Sequence, residues 1–177
     1  MALGVAQSQN ISVTDAPRRD EALRESVRRT LVIEAKGLAA LSASVEGELG
    51  DAIERATGLI EGARGRVIVT GMGKSGHIGR KLAATLASTG TPALFLHAAE
   101  ASHGDLGMVT PDDVLLAISW SGETAELGDV VHYARRFAVP LLAITSNADS
   151  TLGRAADVAL VLPRVEEACP NLSLIHI

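Results

Sequence analysis

Aromatic residues make up only 2% of this 177-residue chain: one Trp, one Tyr and two Phe. A core with so few rings has to come from Ala, Leu, Val and Ile, which favours helices packed closely on a sheet. Basic residues are outnumbered, 16 Lys and Arg against 21 Asp and Glu, for a formal charge of −5. Such a chain lacks the basic face and the stacking platforms that nucleic acid demands, so no nucleic-acid partner is expected. No apolar run approaches the length of a membrane span, and no membrane partner is expected either. Cysteine occurs once, at Cys169, which excludes an internal disulfide. The first 17 residues lack a basic start followed by an apolar stretch, so they do not read as a secretory leader. Together these absences point to the cytoplasm.

What is present is a substantial apolar fraction, 47%, which excludes disorder throughout and suffices for one α/β domain. Residues 1–18 are polar and patternless and are expected to be a disordered tail. From 20 to 48, Leu23, Val27, Leu31, Leu38, Leu41 and Val45 recur at helical spacing, with Asp20 as the expected N-cap. A second helix is expected over 51–63, stopping near Gly65. Beyond Gly65, short apolar runs at 67–69, 93–96, 114–118, 141–144 and 158–162 alternate with helical segments at 77–88, 125–137 and 151–155. Nearly continuous apolar runs are the mark of parallel strands covered on both faces. The expected fold is therefore α/β: a doubly wound three-layer sandwich with a mainly parallel five-stranded sheet, preceded by N-terminal helices.

Two of the strand-to-helix junctions are rich in small and polar residues. The first is Thr70-Gly71-Met72-Gly73-Lys74-Ser75-Gly76-His77. Its Gly-x-Gly-x-x-Gly spacing formally fits a dinucleotide site, but that site needs an acid at the end of the next strand, where Glu100 comes late. A P-loop is excluded, because its leading glycine would fall at Ile68. For Gly76 and Gly79, close packing of helix on sheet is an equal reading. Lys74 is different: a lysine in this junction, at the carboxyl end of a strand, points where ligands bind in open α/β sheets.

The second junction, Ser119-Trp120-Ser121-Gly122-Glu123-Thr124, sets three hydroxyls around one glycine. N-capping accounts for one hydroxyl; three with a glycine favour a phosphate. Glu123 and Glu126 follow at the start of the next helix. One is expected to meet solvent or the helix dipole and the other the pocket, and the sequence leaves open which. His97 and His103 stand apart from any Cys or Asp at metal-ligand spacing, so no metal is expected, and His97 reads as a local hydrogen-bonding residue at a strand end.

In this order, the first junction through Lys81, His103-Gly104-Asp105-Leu106-Gly107-Met108, the second junction, and Glu167-Ala168-Cys169-Pro170 resemble the D-arabinose 5-phosphate isomerase family, built on the sugar isomerase (SIS) domain. The resemblance covers about 19–170. It implies an aldose–ketose isomerase that interconverts D-arabinose 5-phosphate and D-ribulose 5-phosphate through an enediol and feeds Kdo and lipopolysaccharide synthesis. No organic cofactor is implied; the partner is a phosphorylated pentose, and a homo-oligomer, dimer or tetramer, is expected. The resemblance implies that Ser119, Ser121 and Thr124 bind phosphate with Ser75, Gly73 and Gly122 beside them. It places His103 in the pocket and Lys74, Glu126 and Glu167 in the catalytic site. Trp120 stands where the family often has Asn. After Pro170 the resemblance lapses. Residues 171–177 do not match, His176 is not the family's His-Pro-Gly-Gly histidine, and a truncated chain, inactive alone, is expected. A sugar-phosphate sensor without chemistry is the alternative, and the polar set Lys74, Glu126 and Glu167 weighs against it.

Overall fold

The structure, a computed structural model, describes residues 16–168, with side chains from residue 19. The expectations for residues 1–15, Cys169, Pro170 and 171–177, His176 included, lie outside the described residues. Residues 16–18 are not tail but the first turn of helix α1, Ala16–Ser44. Asp20 therefore lies inside the helix and is not its N-cap. Pro17 permits the earlier start, since a first-turn residue needs no N–H donor. The helix also stops short of residue 48. The chain reverses over residues 45–47 and enters α2, Glu48–Gly62. Gly50 makes this possible, because a Cβ there would collide with the Val45 carbonyl.

The rest follows the expected alternation. β1 (Val67–Gly71) leads into α3 (Gly73–Ser88), and β2 (Ala93–His97) into the short α4 (Ala98–Ala101). β3 (Val114–Ile118) precedes a 3-10 turn (Ala125–Leu127) and α5 (Gly128–Phe137). β4 (Leu141–Thr145), α6 (Thr151–Ala155) and β5 (Val158–Val161) complete the described fold. All five strands are parallel, in the order β2-β1-β3-β4-β5.

Alternating residues feed two apolar layers. Val67, Val69, Leu116 and Leu142 pack with Ala52 and Ala56 of α2 and Ala83 of α3. Ile68, Leu115 and Leu141 pack with Val130, Val131 and Ala134 of α5 and Leu152 of α6. Alanines on the helices let branched strand residues fill the space that rings would otherwise occupy. Each fully buried Leu or Ile contributes about 1.5–3 kcal/mol, so this sheet dominates stability.

At the amino ends of the strands, Asp113 is 1% exposed and holds several donors. Its Oδ1 accepts from the Arg66 N–H at 2.7 Å and from Arg66 Nε at 3.2 Å. Its Oδ2 accepts from the Thr110 N–H at 2.8 Å, Thr110 Oγ1 at 3.0 Å and Arg66 Nη2 at 3.2 Å. Thr70 is the opposite case. Its hydroxyl is fully buried in β1 and has no hydrogen-bond partner among the described residues. Unpaired burial costs about 1–3 kcal/mol. Thr70→Val is therefore expected to raise stability by about 1 kcal/mol in chemical denaturation, and a loss of that size would show that the hydroxyl is satisfied.

Candidate functional site

The strand order reverses between β1 and β3. The chain leaves β1 for β2 on one side and returns to β3 on the other. Open α/β sheets bind ligands at such a switch point, beyond the strands' carboxyl ends. Gly71 pairs with Ile118 on one side and His97 on the other, so the two polar junctions emerge side by side.

The first junction is shorter than its sequence predicts. α3 begins at Gly73, not at residue 77, so Lys74 and Ser75 lie in its first turn. Gly73 takes φ +53°, which suits glycine. A Cβ on Gly76 would lie 2.8 Å from the Gly71 carbonyl oxygen, and one on Gly79 would lie 3.0 Å from the Phe95 ring. These two glycines thus serve close helix–sheet contact. The first intrahelical bond runs from the Gly76 N–H to the Met72 carbonyl, 3.1 Å. The N–H groups of Gly73, Lys74 and Ser75 precede it at the positive end of a 16-residue helix. A lysine there is unfavourable by about 0.3–1 kcal/mol on dipole grounds, and the free N–H groups beside it are of the kind that accept an anion.

The second junction is a tightly bonded turn. Ser119 is 2% exposed; its Oγ accepts from the Gly122 N–H at 3.0 Å and lies 2.8 Å from Thr124 Oγ1. Ser121 Oγ accepts from the Glu123 N–H at 3.2 Å. Thr124 precedes the 3-10 turn without a side-chain capping bond, so the three hydroxyls organise the turn itself and do not cap the helix. Two hydroxyls sharing one hydrogen bond leave one proton to donate, and Ser121 keeps its own. The Trp120 carbonyl accepts from the Ser146 N–H and Oγ and from Thr145 Oγ1, which pins the turn to β4.

Gly122 has φ +70°, and a Cβ there would collide with Ser150, whose Oγ caps α6 through the Gly153 N–H. Gly122→Ala combines left-handed strain of about 1–2 kcal/mol with loss of a cap worth about 1 kcal/mol. A destabilisation of about 2–3 kcal/mol in urea unfolding is expected.

Glu123 is spent on structure. Its carboxylate accepts from the Thr151 N–H and Oγ1, both at 2.7 Å, across to α6. Thr151's hydroxyl, then its N–H, hold this carboxyl below its ordinary range. Glu126 is exposed on the 3-10 turn, which packs against α4. His97 Nδ1 accepts from the Ala99 N–H at 3.3 Å, the local role its position predicts. His103 is exposed just past α4. Glu167 is half-buried and lines a cavity of about 510 Å³ with Trp120, Val165, Glu166 and Ala168. Thr30 and Glu34 of α1 line the same cavity. Sequence reasoning misses these two, because α1 announces itself by its apolar spacing alone.

The β1–β3 register thus brings the junction with Gly73, Lys74 and Ser75 out next to the one with Ser119, Ser121, Gly122 and Thr124, and Glu167 lines the same cavity as Trp120 of the second junction. Residues 59–176 match the SIS domain family. The chain belongs to the SIS domain family. Arabinose 5-phosphate isomerase KpsF of Escherichia coli is 49% identical to it over 152 residues, 86% of this chain and 47% of that protein. Arabinose 5-phosphate isomerase KdsD of Pseudomonas aeruginosa is 48% identical over 145 residues, 82% of this chain and 43% of that protein. The chain therefore spans about half the length of these curated relatives. Among solved structures, an E. coli CFT073 protein in complex with arabinose 5-phosphate superposes with a TM-score of 0.76 at 35% identity, over 91% of this chain and 80% of that one. Among the described residues, no helix of this SIS domain is long and apolar enough to cross a membrane.

Proposed function

We propose that the full-length protein interconverts D-arabinose 5-phosphate and D-ribulose 5-phosphate in the cytoplasm, supplying Kdo for lipopolysaccharide. The observation that carries this reading is the pairing of two anion-suited junctions, through Gly71 and Ile118, at the sheet's switch point. The similarity to proteins named arabinose 5-phosphate isomerase supports the choice of sugar.

The phosphate sits on Ser119, Ser121, Thr124 and the N–H groups near Gly122, with Gly73 and Ser75 across from them. It takes no part in the chemistry; its binding energy holds the sugar in register. Glu167 or Glu126 moves the proton between C1 and C2, and Lys74 stabilises the enediolate oxygen. His103 contributes to the pocket rim. No cofactor is required. Leu23, Val27, Leu31 and Leu38 are exposed along α1, and this apolar face, uncovered among the described residues, supports a homo-oligomer.

Incubation with D-arabinose 5-phosphate is expected to yield D-ribulose 5-phosphate; turnover of a different phosphosugar alone would overturn the substrate. Ser121→Ala is expected to raise KM about 10–100-fold with kcat nearly unchanged in steady-state kinetics. It deletes one charge-assisted hydrogen bond of about 1.5–3 kcal/mol made equally in ground and transition states.

A further inference from the structure

Thr30, Glu34 and Gly37 follow one another at intervals of four and three along α1, so they share one helix face. The chain beyond β5 passes directly over that face. A Cβ on Gly37 would lie 3.5 Å from Val165 Cγ2. Next to this contact opens the cavity of about 510 Å³ walled by Thr30, Glu34, Trp120 and Glu167. A helix face packed on another segment ordinarily carries apolar residues. Here, beside the Gly37–Val165 contact, it carries a half-buried hydroxyl, Thr30, whose Oγ1 donates to the Ser26 carbonyl at 3.1 Å and can still accept, and an exposed carboxylate, Glu34, which among the described residues has no hydrogen-bond or ion-pair partner.

The chemistry of the walls is specific. Ionised carboxylates accept hydrogen bonds and donate none, which matches a chain of sugar hydroxyls. Trp120 adds a broad apolar surface, and it belongs to the turn that carries Ser119 and Ser121. A carboxylate at this end also repels phosphate, so it discriminates between the two ends of a phosphosugar.

We infer that Glu34 is a substrate-contacting residue that selects the sugar. With Thr30 it binds hydroxyls of the carbon chain across the cavity from Glu167, while the phosphate stays on the second junction. This inference rests on the sugar-phosphate reading above.

The test uses Glu34→Ala and Glu34→Gln in the full-length protein. Glu34 is exposed on a helix, where alanine is the best helix former, so the fold is expected to survive. Thermal melting checks this. Calorimetry is expected to show Kd for D-arabinose 5-phosphate raised at least about 10-fold in Glu34→Ala, and less in Glu34→Gln, with Kd for inorganic phosphate within about twofold. Unchanged affinity for both ligands, or equal weakening of both, overturns the assignment. Turnover by the unsubstituted protein is scored separately. Binding that depends on Glu34 without turnover would sink the isomerase reading and keep Glu34, and turnover with binding indifferent to Glu34 would do the reverse.

Discussion

Glu167→Gln in the full-length protein is expected to lower kcat by about 10²–10⁴-fold while leaving KM within a few-fold of its original value. The amide keeps the size and much of the hydrogen bonding of the carboxylate, so binding survives. It cannot accept a proton from carbon, so the isomerisation step does not. Glu167 is favoured over Glu126 by its surroundings: it is half-buried on the wall of a cavity that reaches Trp120, whereas Glu126 is exposed on the 3-10 turn. Steady-state kinetics of both single variants decides between them. Full turnover in Glu167→Gln with a collapse in Glu126→Gln would transfer the base to Glu126.

Asp113→Ala is expected to destabilise the fold by about 3–5 kcal/mol, a fall in melting temperature on the order of 10 °C. The buried carboxylate holds the entry to β1, the entry to β3 and the loop at Thr110 together. Removing it takes the acceptor away from the part-buried Arg66 and Thr110 N–H groups and empties the space that the Asp113 side chain fills. Burial of Asp113 acts to raise its pKa, but the hydrogen bonds from Arg66 and Thr110 outweigh it and hold the carboxyl below the ordinary range. A carboxyl depressed in the folded state stabilises fully above its unfolded pKa of about 4 and loses that contribution as pH falls below it. The substitution should therefore cost most at neutral pH and flatten the acid limb of the stability profile. Because Asp113 lies at the amino ends of parallel strands, away from the switch point, KM should not change. Equal stability of the two proteins across pH 3–7 would contradict this account.

The five strands were legible because runs such as 114–118 are continuous, branched and apolar, which only a sheet covered on both faces accommodates. The second junction was legible because four small or hydroxylated residues converge there. Other features depended on tertiary contacts. The start of α3 at Gly73 was hidden because glycines read as a turn, while Gly76 and Gly79 are there for the closeness of β1 and Phe95. The start of α1 was hidden because residues 16–18 lack the apolar spacing that marks the rest of the helix, while Pro17 is harmless in a first helical turn. Glu123 and Glu126 are alike by spacing and were separated only by Thr151, 28 residues beyond Glu123. Thr30 and Glu34 carry no motif; only the passage of residues 165–168 over α1 makes them neighbours of Trp120.

The central claim is that a site built to hold a sugar phosphate also moves a proton at carbon. The most direct measurement is nuclear magnetic resonance of D-arabinose 5-phosphate incubated with the full-length protein in deuterated water. Deuterium should enter C2 of the aldose pool as D-ribulose 5-phosphate forms, because a base that lifts the C2 proton exchanges it with solvent. Tight binding of D-arabinose 5-phosphate with no deuterium at C2 and no ketose would contradict the account and make this SIS domain a sensor of sugar phosphates.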